Sequence, residues 1–121
     1  LMESLMVSRE LGLNRFICDQ APYNLLDRRI ERELVPFALS YGLAIIPWSP
    51  LGGGLLSGQY TRENPKPEGA RYASDAPHLK ARMKDGLFDH LDTLFHLANE
   101  RGCPPSQIAL AWCLQRPGVT S

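Results

Sequence analysis

Residues 42–58 read Gly-Leu-Ala-Ile-Ile-Pro-Trp-Ser-Pro-Leu-Gly-Gly-Gly-Leu-Leu-Ser-Gly, and this stretch decides the fold of the chain. Its first part, Gly42–Pro47, is an apolar run typical of a buried parallel strand. Trp48 then offers a flat indole face on which a planar ring can stack. The following glycine-rich loop offers backbone N–H groups unobstructed by side chains, which suits a phosphate. The pattern indicates a nucleotide-binding corner, and a glycine run is equally compatible with a simple turn.

The residues before this corner predict a strand and a helix. Arg15–Gln20 reads as a strand, and apolar side chains recur at helical spacing from Ile30 to Tyr41. Pro36 lacks an N–H, so it either splits this region or opens its second part. The next strand is predicted over Leu43–Pro47. Two successive strand–helix units with short connections indicate a parallel α/β sheet, a pattern that open doubly wound sheets and closed barrels share.

The rest of the chain predicts further helices around a long loop. The remaining predicted elements are a helix over residues 1–11 that stops at Gly12, a helix over residues 87–98 that ends at Gly102, a helix that opens at residues 104–106, and a strand that begins at Val119. Residues 61–77 are polar and rich in proline, which predicts a long excursion after the second strand. In a barrel, such excursions lie over the mouth of the active site.

Composition excludes several classes of partner. The 121 residues contain 13 Lys and Arg and 13 Asp and Glu, for a formal net charge of zero. This balance argues against nucleic acid or an anionic membrane as the main partner. No apolar stretch approaches the ~20 residues that a membrane-spanning helix needs. The cysteines, Cys18, Cys103 and Cys113, are scattered and form no Cys-x-x-Cys pair, which predicts a reducing, cytoplasmic location.

Several motifs together carry a family resemblance. They are Gln20-x-x-Tyr23-Asn24-Leu25, Ser-Pro-Leu-Gly at 49–52, Ser-Gln-Ile-Ala-Leu-Ala-Trp at 106–112 and Arg-Pro-Gly-Val-Thr-Ser at 116–121. With the strand that ends at Trp48, they make nearly the whole chain resemble the aldo-keto reductase family. The resemblance implies a (β/α)8 TIM barrel, of which residues 1–121 form the C-terminal portion of a single domain. Because such barrels typically need ~250 residues, we do not expect this segment to fold stably alone.

The same resemblance implies a set of cofactor-binding residues. Gln20 matches the glutamine that holds the nicotinamide carboxamide, and Trp48 matches the aromatic residue that stacks on the nicotinamide ring. The implied pyrophosphate loop consists of Ser49, Pro50, Leu51, Gly52 and Gly53. Gln59 stands where relatives often carry a lysine, and Arg71 matches a loop arginine near the cofactor phosphates. The structural alternatives are a surface glutamine, a core tryptophan, a rigid turn and a solvated arginine.

The implied function is NADPH-dependent reduction of an aldehyde or ketone to an alcohol. The family's proton-donating tyrosine and its supporting lysine, aspartate and histidine match no segment here, so no catalytic residue is predicted. The tyrosines not assigned to that role are Tyr23, Tyr41, Tyr60 and Tyr72. NADPH is preferred over NADH from the resemblance alone. The alternative is a redox-sensing regulatory subunit like the potassium-channel β subunits, because tryptophan occurs at the position of Trp48 in that branch.

The remaining polar and aromatic residues are mostly predicted to have structural or solvent-exposed roles. His78, His90 and His96 lack metal-ligand spacing, and no metal is predicted. Tyr23 either lines the substrate mouth or is structural, and Trp112 belongs to an apolar helix stripe. Arg28, Arg29, Glu31 and Glu33 are predicted to form an exposed helix face. Neither the carbonyl substrate nor the oligomeric state can be predicted from the sequence.

Overall fold

The computed structural model describes residues 1–71 and 86–121, and the elements alternate as an α/β fold requires. Among these residues the helices are α1 (Met2–Glu10), α2 (Leu34–Tyr41), α3 (Leu87–Arg101) and α4 (Pro105–Leu114), and the strands are β1 (Cys18–Pro22) and β2 (Ala44–Trp48). Short 3-10 segments cover Arg29–Glu31 and Gly52–Ser57, and the second is kinked at Gly53 and Gly54. The predicted helix and strand segments are therefore confirmed, with shifted ends.

The strands β1 and β2 pair in parallel, and a third segment joins them. In the register, Cys18 is opposite Ala44, Gln20 is opposite Ile46 and Pro22 is opposite Trp48. On the other side of β2, Val119 forms a parallel bridge with Ile45. The Ile45 N–H donates to the Gly118 carbonyl over 2.7 Å, and the Thr120 N–H donates to the Ile45 carbonyl over 3.2 Å. The predicted start of a strand at Val119 thus lies in the sheet.

The first strand differs from its predicted bounds. It was expected over Arg15–Gln20 with Gln20 at its end, but pairing with β2 continues to Pro22. The reason lies at the end of β2, where the Trp48 carbonyl accepts the Tyr23 N–H over 3.2 Å and extends the ladder. Gln20 therefore lies inside β1, two residues before its end.

The break before α2 follows the position of proline. The 3-10 helix Arg29–Glu31 precedes α2, and Pro36 is the third residue of α2. The first turn of a helix has N–H groups without intrahelical partners, so proline is tolerated there. Of the two predicted outcomes, Pro36 opens the second part. Gly42 then ends α2 with φ +62°, a left-handed conformation that glycine adopts without steric cost.

Two groups of buried side chains hold these elements together. One joins α1 and α2 to the sheet and consists of Leu5, Val35, Ala38, Leu43 and Ile45. The other joins the glycine-rich 3-10 helix to the last two helices and consists of Leu55, Leu56, Tyr60, Leu87, Leu91, Leu94 and Ala109. The second group places the loop after β2 on a packed support.

In the described parts of the chain, helices cover one face of the sheet. Ile45 and Ala21 are buried on the helix side, at 0% and 6% exposure. Because successive side chains of a strand point to opposite faces, Gln20 and Trp48 lie on the other face, where both are exposed. This open face carries the residues that the sequence singled out.

Candidate cofactor-binding site

Trp48 and Gln20 are neighbours on the open face of the sheet. Trp48 is 49% exposed in this chain. Gln20 is opposite Ile46, which precedes Trp48 by two residues. This register offsets the two side chains by about 6.6 Å along the strand direction on one face. An exposed indole and an exposed primary amide, which both donates and accepts hydrogen bonds, therefore lie side by side.

Ser49 turns the chain immediately after Trp48. It is the only non-glycine residue of the described ranges with positive φ, at +57°. Its hydroxyl Oγ accepts the Gly53 N–H over 2.9 Å, and its carbonyl accepts the Gly52 N–H over 2.9 Å. A hydroxyl that accepts one hydrogen bond keeps its own hydrogen for donation. Ser49 is therefore both the corner of the loop and a polar donor at the end of β2.

The glycines fold the loop on itself. Gly52, Gly53 and Gly54 all have positive φ, at 61°, 71° and 105°. Their N–H groups donate to the Ser49 carbonyl, the Ser49 hydroxyl and the Leu51 carbonyl, respectively. The expectation that these amides point freely at a phosphate therefore needs revision, because each already has an acceptor within the loop. The loop's left-handed residues shape the turn, and the Ser49 hydroxyl keeps its hydrogen for donation.

Pro50 and Leu51 are half-buried, and they shape the loop without offering a side-chain hydrogen bond. Pro50 has no N–H at all. Leu51 packs against the buried group under the loop, and its carbonyl accepts the N–H groups of Gly54 and Leu56 over 3.0 and 3.1 Å. These two residues therefore anchor the loop on its support.

Gln59 and Arg71 are both exposed. Within residues 1–71 and 86–121, neither side chain is hydrogen-bonded to Trp48 or Ser49. The segment that separates them is tied down by Arg62, which pairs with Asp92 over 2.7 Å and with Asp89, both on α3. Arg71 is the last described residue before the gap.

Asn24 is the residue that sequence reasoning missed as part of this site. It is 2% exposed, and its Nδ2 donates to the Ser49 carbonyl over 2.9 Å. Its Oδ1 accepts the N–H groups of Leu26 and Asp27 over 2.9 and 3.0 Å. The sequence signal was its place directly after a strand within the Tyr-Asn-Leu motif, but the motif alone does not reveal the partner across the sheet edge.

Tyr23 is buried and structural, so its alternative role in lining a substrate mouth is wrong. It is 1% exposed, and its hydroxyl donates to Glu31 over 2.7 Å. Burial, followed by the hydrogen bond to Glu31, raises the pKa of Tyr23 well above its ordinary value. Arg28 forms two hydrogen bonds to Glu31, over 2.9 and 2.8 Å, and lowers the pKa of that carboxyl group. Of the predicted charged face, Arg28, Arg29 and Glu33 are exposed, whereas Glu31 is half-buried against Tyr23.

Trp112 closes this structural cluster. It is half-buried, and its ring lies 5.3 Å from that of Tyr23. The guanidinium carbons of Arg28 and Arg116 lie 5.4 and 4.9 Å from the Trp112 ring centre, within the range of cation–π attraction. The predicted core position is thus partly correct, since two cations cover the ring.

The described residues offer no group of His, Cys, Asp and Glu side chains that could hold a metal ion. His90 contacts the Gly86 carbonyl over 2.6 Å, and His96 pairs with Glu100 over 3.3 Å. His78 and Tyr72 lie outside the described residues. None of the helices in the described ranges has the length and apolar character needed to cross a membrane. The thiols of Cys18, Cys103 and Cys113 are all free.

Comparisons with known proteins agree on one family. The model of the aldo/keto reductase family matches residues 2–121. A protein of Oryza sativa subsp. japonica named "Probable voltage-gated potassium channel subunit beta" is 35% identical over 100% of this chain and 38% of its own length. The versiconal hemiacetal acetate reductase of Aspergillus parasiticus is 32% identical over 88% of this chain and 31% of its own length.

A solved structure shows the same architecture. The glycerol dehydrogenase of Gluconobacter oxydans superposes with a TM-score of 0.74 and 26% sequence identity, over 97% of this chain and 35% of that protein. The chain therefore spans between 31% and 38% of the length of these three proteins. Residues 1–71 and 86–121 contribute two strands and a third bridging segment to this larger barrel.

Proposed function

This chain belongs to the aldo/keto reductase family, and from that premise we propose that it forms the cofactor-binding part of an NADPH-dependent enzyme that reduces aldehydes or ketones to alcohols. The fold of the family is the (β/α)8 barrel, of which the chain covers a part. The observation that carries the proposal is the juxtaposition of exposed Trp48 and Gln20 on one sheet face, with Ser49 at the strand end.

The residues of the open face suit a nicotinamide cofactor. Trp48 presents a flat apolar surface that stacks on a planar ring and selects which ring face meets the substrate. Gln20 supplies one donor and one acceptor, which match the carboxamide of nicotinamide. The bound cofactor supplies hydride transfer. The protein's part, in this proposal, is to hold the ring against the mouth of the barrel.

The phosphate end of the proposed site depends on the loop after β2. Ser49 donates its hydroxyl hydrogen to the pyrophosphate, while Pro50, Leu51, Gly52 and Gly53 keep that hydroxyl in place. Arg71 adds a guanidinium, which forms charge-assisted hydrogen bonds to phosphate oxygens. Gln59 adds a neutral hydrogen bond, because it lacks the positive charge of the lysine that relatives often carry there.

The proton donor of the proposed reaction comes from parts of the barrel outside this chain. Tyr23 is unsuited to that role because it is buried and bonded to Glu31. We therefore assign no catalytic residue to residues 1–121. The small-molecule carbonyl substrate, the preference for NADPH over NADH and a cytoplasmic location belong to the same proposal, and they are supported by the family resemblance and by the free cysteines.

The test is cofactor titration of a complete barrel protein that contains this chain. We expect NADPH to quench tryptophan fluorescence saturably and more tightly than NADH does. Loss of stacking in Trp48→Ala should weaken binding about tenfold, the equivalent of ~1.4 kcal/mol. Trp112→Phe is the matched control, since Trp112 lies among guanidinium groups away from the open face, and it should bind like the unaltered protein. Absence of saturable binding by the folded protein would refute the proposal.

A second candidate is a cofactor-binding regulatory subunit that senses redox state. The 35% identity with the rice protein named as a channel subunit favours it, because that protein matches the whole chain. Consumption of NADPH in the presence of a panel of aldehydes and ketones separates the two functions. Steady turnover supports the reductase, whereas tight binding without turnover supports the regulatory subunit.

A further inference from the structure

Asn24 joins the two loops that follow β1 and β2. Its backbone forms two hydrogen bonds with Asp27, each 3.1 Å long, which close a tight turn after β1. Its side-chain oxygen accepts two N–H groups within that turn, from Leu26 and Asp27. Its side-chain nitrogen reaches across to the carbonyl of Ser49. One buried side chain therefore connects a rigid turn to the corner of the proposed cofactor loop.

The bond to Ser49 acts at a backbone position that needs support. A left-handed conformation is sterically unfavourable for a non-glycine residue, and Ser49 adopts it with φ +57°. That conformation aims the Ser49 carbonyl at the Asn24 amide. It also places the Ser49 hydroxyl over the loop, where it accepts the Gly53 N–H. The hydrogen bond from Asn24 to the Ser49 carbonyl therefore also fixes the position of the Ser49 hydroxyl.

Only a side chain with both a donor and an acceptor can make this connection. A carboxylate accepts but cannot donate, and a serine hydroxyl is too short to reach from one loop to the other. The surroundings leave little freedom: a Cβ at Gly52 would lie 3.9 Å from the Asn24 oxygen and 3.5 Å from Leu26 Cδ1. The amide is thus enclosed as well as hydrogen-bonded.

We propose that Asn24 is a positioning residue for cofactor binding, which fixes Ser49 in its left-handed conformation and so orients the Ser49 hydroxyl and the Trp48 ring toward the open face. The inference rests on the proposed function, because it names a residue that acts on that same site without touching the cofactor. It predicts that cofactor affinity depends on a side chain buried behind the loop.

The test compares two substitutions of Asn24 in the complete barrel protein. Asn24→Ser is uncharged and keeps a hydroxyl that can accept the turn's N–H groups, but it loses the reach to Ser49. Asn24→Asp keeps an oxygen that accepts the N–H groups of the turn. Its second oxygen replaces the amide nitrogen, so a carboxylate that cannot donate faces the Ser49 carbonyl. The matched control is Asn99→Ser, the same change at an exposed position of α3. Each variant is examined for its unfolding midpoint, its Kd for NADP⁺ and its KM and kcat.

We expect both Asn24 variants to raise the Kd and the KM for the cofactor about tenfold, the effect of one lost buried hydrogen bond, with kcat at saturation changed far less. Lowering the pH should restore much of the affinity of Asn24→Asp, relative to the unaltered protein, because a protonated carboxyl group can donate to Ser49. Asn24→Ser should show no such recovery.

The outcomes separate this inference from the function on which it rests. If the unaltered protein binds the cofactor and a folded Asn24→Ser binds equally well, the positioning role is overturned and the cofactor site stands. The positioning role is also overturned if a variant shows a smaller folded fraction and a lower kcat but an unchanged KM for the cofactor. That combination indicates a purely structural role. If the folded, unaltered protein binds no nicotinamide nucleotide, both proposals fall together.

Discussion

Ser49 offers a pair of substitutions that separate backbone strain from lost hydrogen bonding. Ser49→Ala and Ser49→Gly both remove the hydroxyl that accepts the Gly53 N–H. They differ in what the left-handed φ of +57° costs them. Alanine is strained in that conformation as serine is, whereas glycine adopts it without steric strain. The difference between the two variants therefore reports the strain at this corner.

The magnitudes follow from the geometry. Loss of the hydrogen bond to Gly53 costs each variant about 1 kcal/mol. Relief of the left-handed conformation returns ~1–2 kcal/mol to Ser49→Gly. Because glycine has greater conformational freedom in the unfolded chain, Ser49→Gly also loses ~0.4–1 kcal/mol of stability relative to Ser49→Ala. We expect Ser49→Gly to exceed Ser49→Ala in free energy of unfolding by about 0.8 kcal/mol, the middle of a range of roughly 0–1.6 kcal/mol.

Urea denaturation of the complete barrel protein measures this difference, and NADP⁺ titration measures the second effect. Both variants should bind the cofactor at least about tenfold more weakly, since a hydrogen bond to a charged phosphate contributes ~1.5–3 kcal/mol. If Ser49→Ala proves clearly more stable than Ser49→Gly, the left-handed corner is not held in solution. If both variants bind as the unaltered protein does, the hydroxyl is not a phosphate ligand.

Three further predictions concern the support of the site. Tyr23→Phe should lower the free energy of unfolding by about 1 kcal/mol, measured in urea, because it removes the hydrogen bond to Glu31. The pKa of Glu31 is lowered in the folded protein, chiefly by Arg28, so its carboxylate should stabilise the fold at pH values above its unfolded pKa. This stabilisation should be lost as the pH falls through the lowered, folded-state pKa. In thermal melts at decreasing pH, Glu31→Gln should therefore lose less stability than the unaltered protein. Gly58→Ala should destabilise by more than ~1 kcal/mol in the same denaturation assay, because φ is +98° and the new Cβ would lie 3.3 Å from Pro105 Cγ.

Each of these predictions has a control in the chain. For the tyrosine, Tyr41→Phe changes an exposed ring and should leave stability within about 0.5 kcal/mol. For the glycine, Gly69→Ala carries a φ of +72° with nothing within 4 Å of the new Cβ, so it should pay the backbone cost alone. Equal losses at Gly58 and Gly69 would contradict the contact argument. If Glu31→Gln lost as much thermal stability at low pH as the unaltered protein does, the role of the carboxylate would be contradicted.

The order of strands and helices could be predicted because the apolar periodicities and helix-ending glycines are local signals. Gly42 and Gly102 end their helices as expected, and Pro36 opens α2. The end of β1 was misplaced because the strand's length depends on what it pairs with. The hydrogen bond from the Tyr23 N–H to the Trp48 carbonyl joins residues far apart in sequence, and no local pattern contains it.

The candidate site was predictable in its residues more than in its hydrogen bonds. Trp48 and Gln20 were singled out by motif, and the structure brings them to one face. The glycine amides were expected to suit a phosphate, but those of Gly52, Gly53 and Gly54 donate to acceptors within the loop. Such a difference arises because a glycine run permits many conformations, and the choice among them is made by partners such as Ser49 and Asn24.

The position of the open face follows from the hydrophobic core and not from the site residues themselves. A strand's side chains alternate, so a slip of one residue in the register would move every side chain to the opposite face. Burial of Ile45 at 0% exposure opposes such a slip in β2, and burial of Ala21 at 6% does so in β1. The same burial that attaches the helices therefore forces Gln20 and Trp48 outward together. A core substitution that loosened this register would displace both side chains at once, although it touched neither.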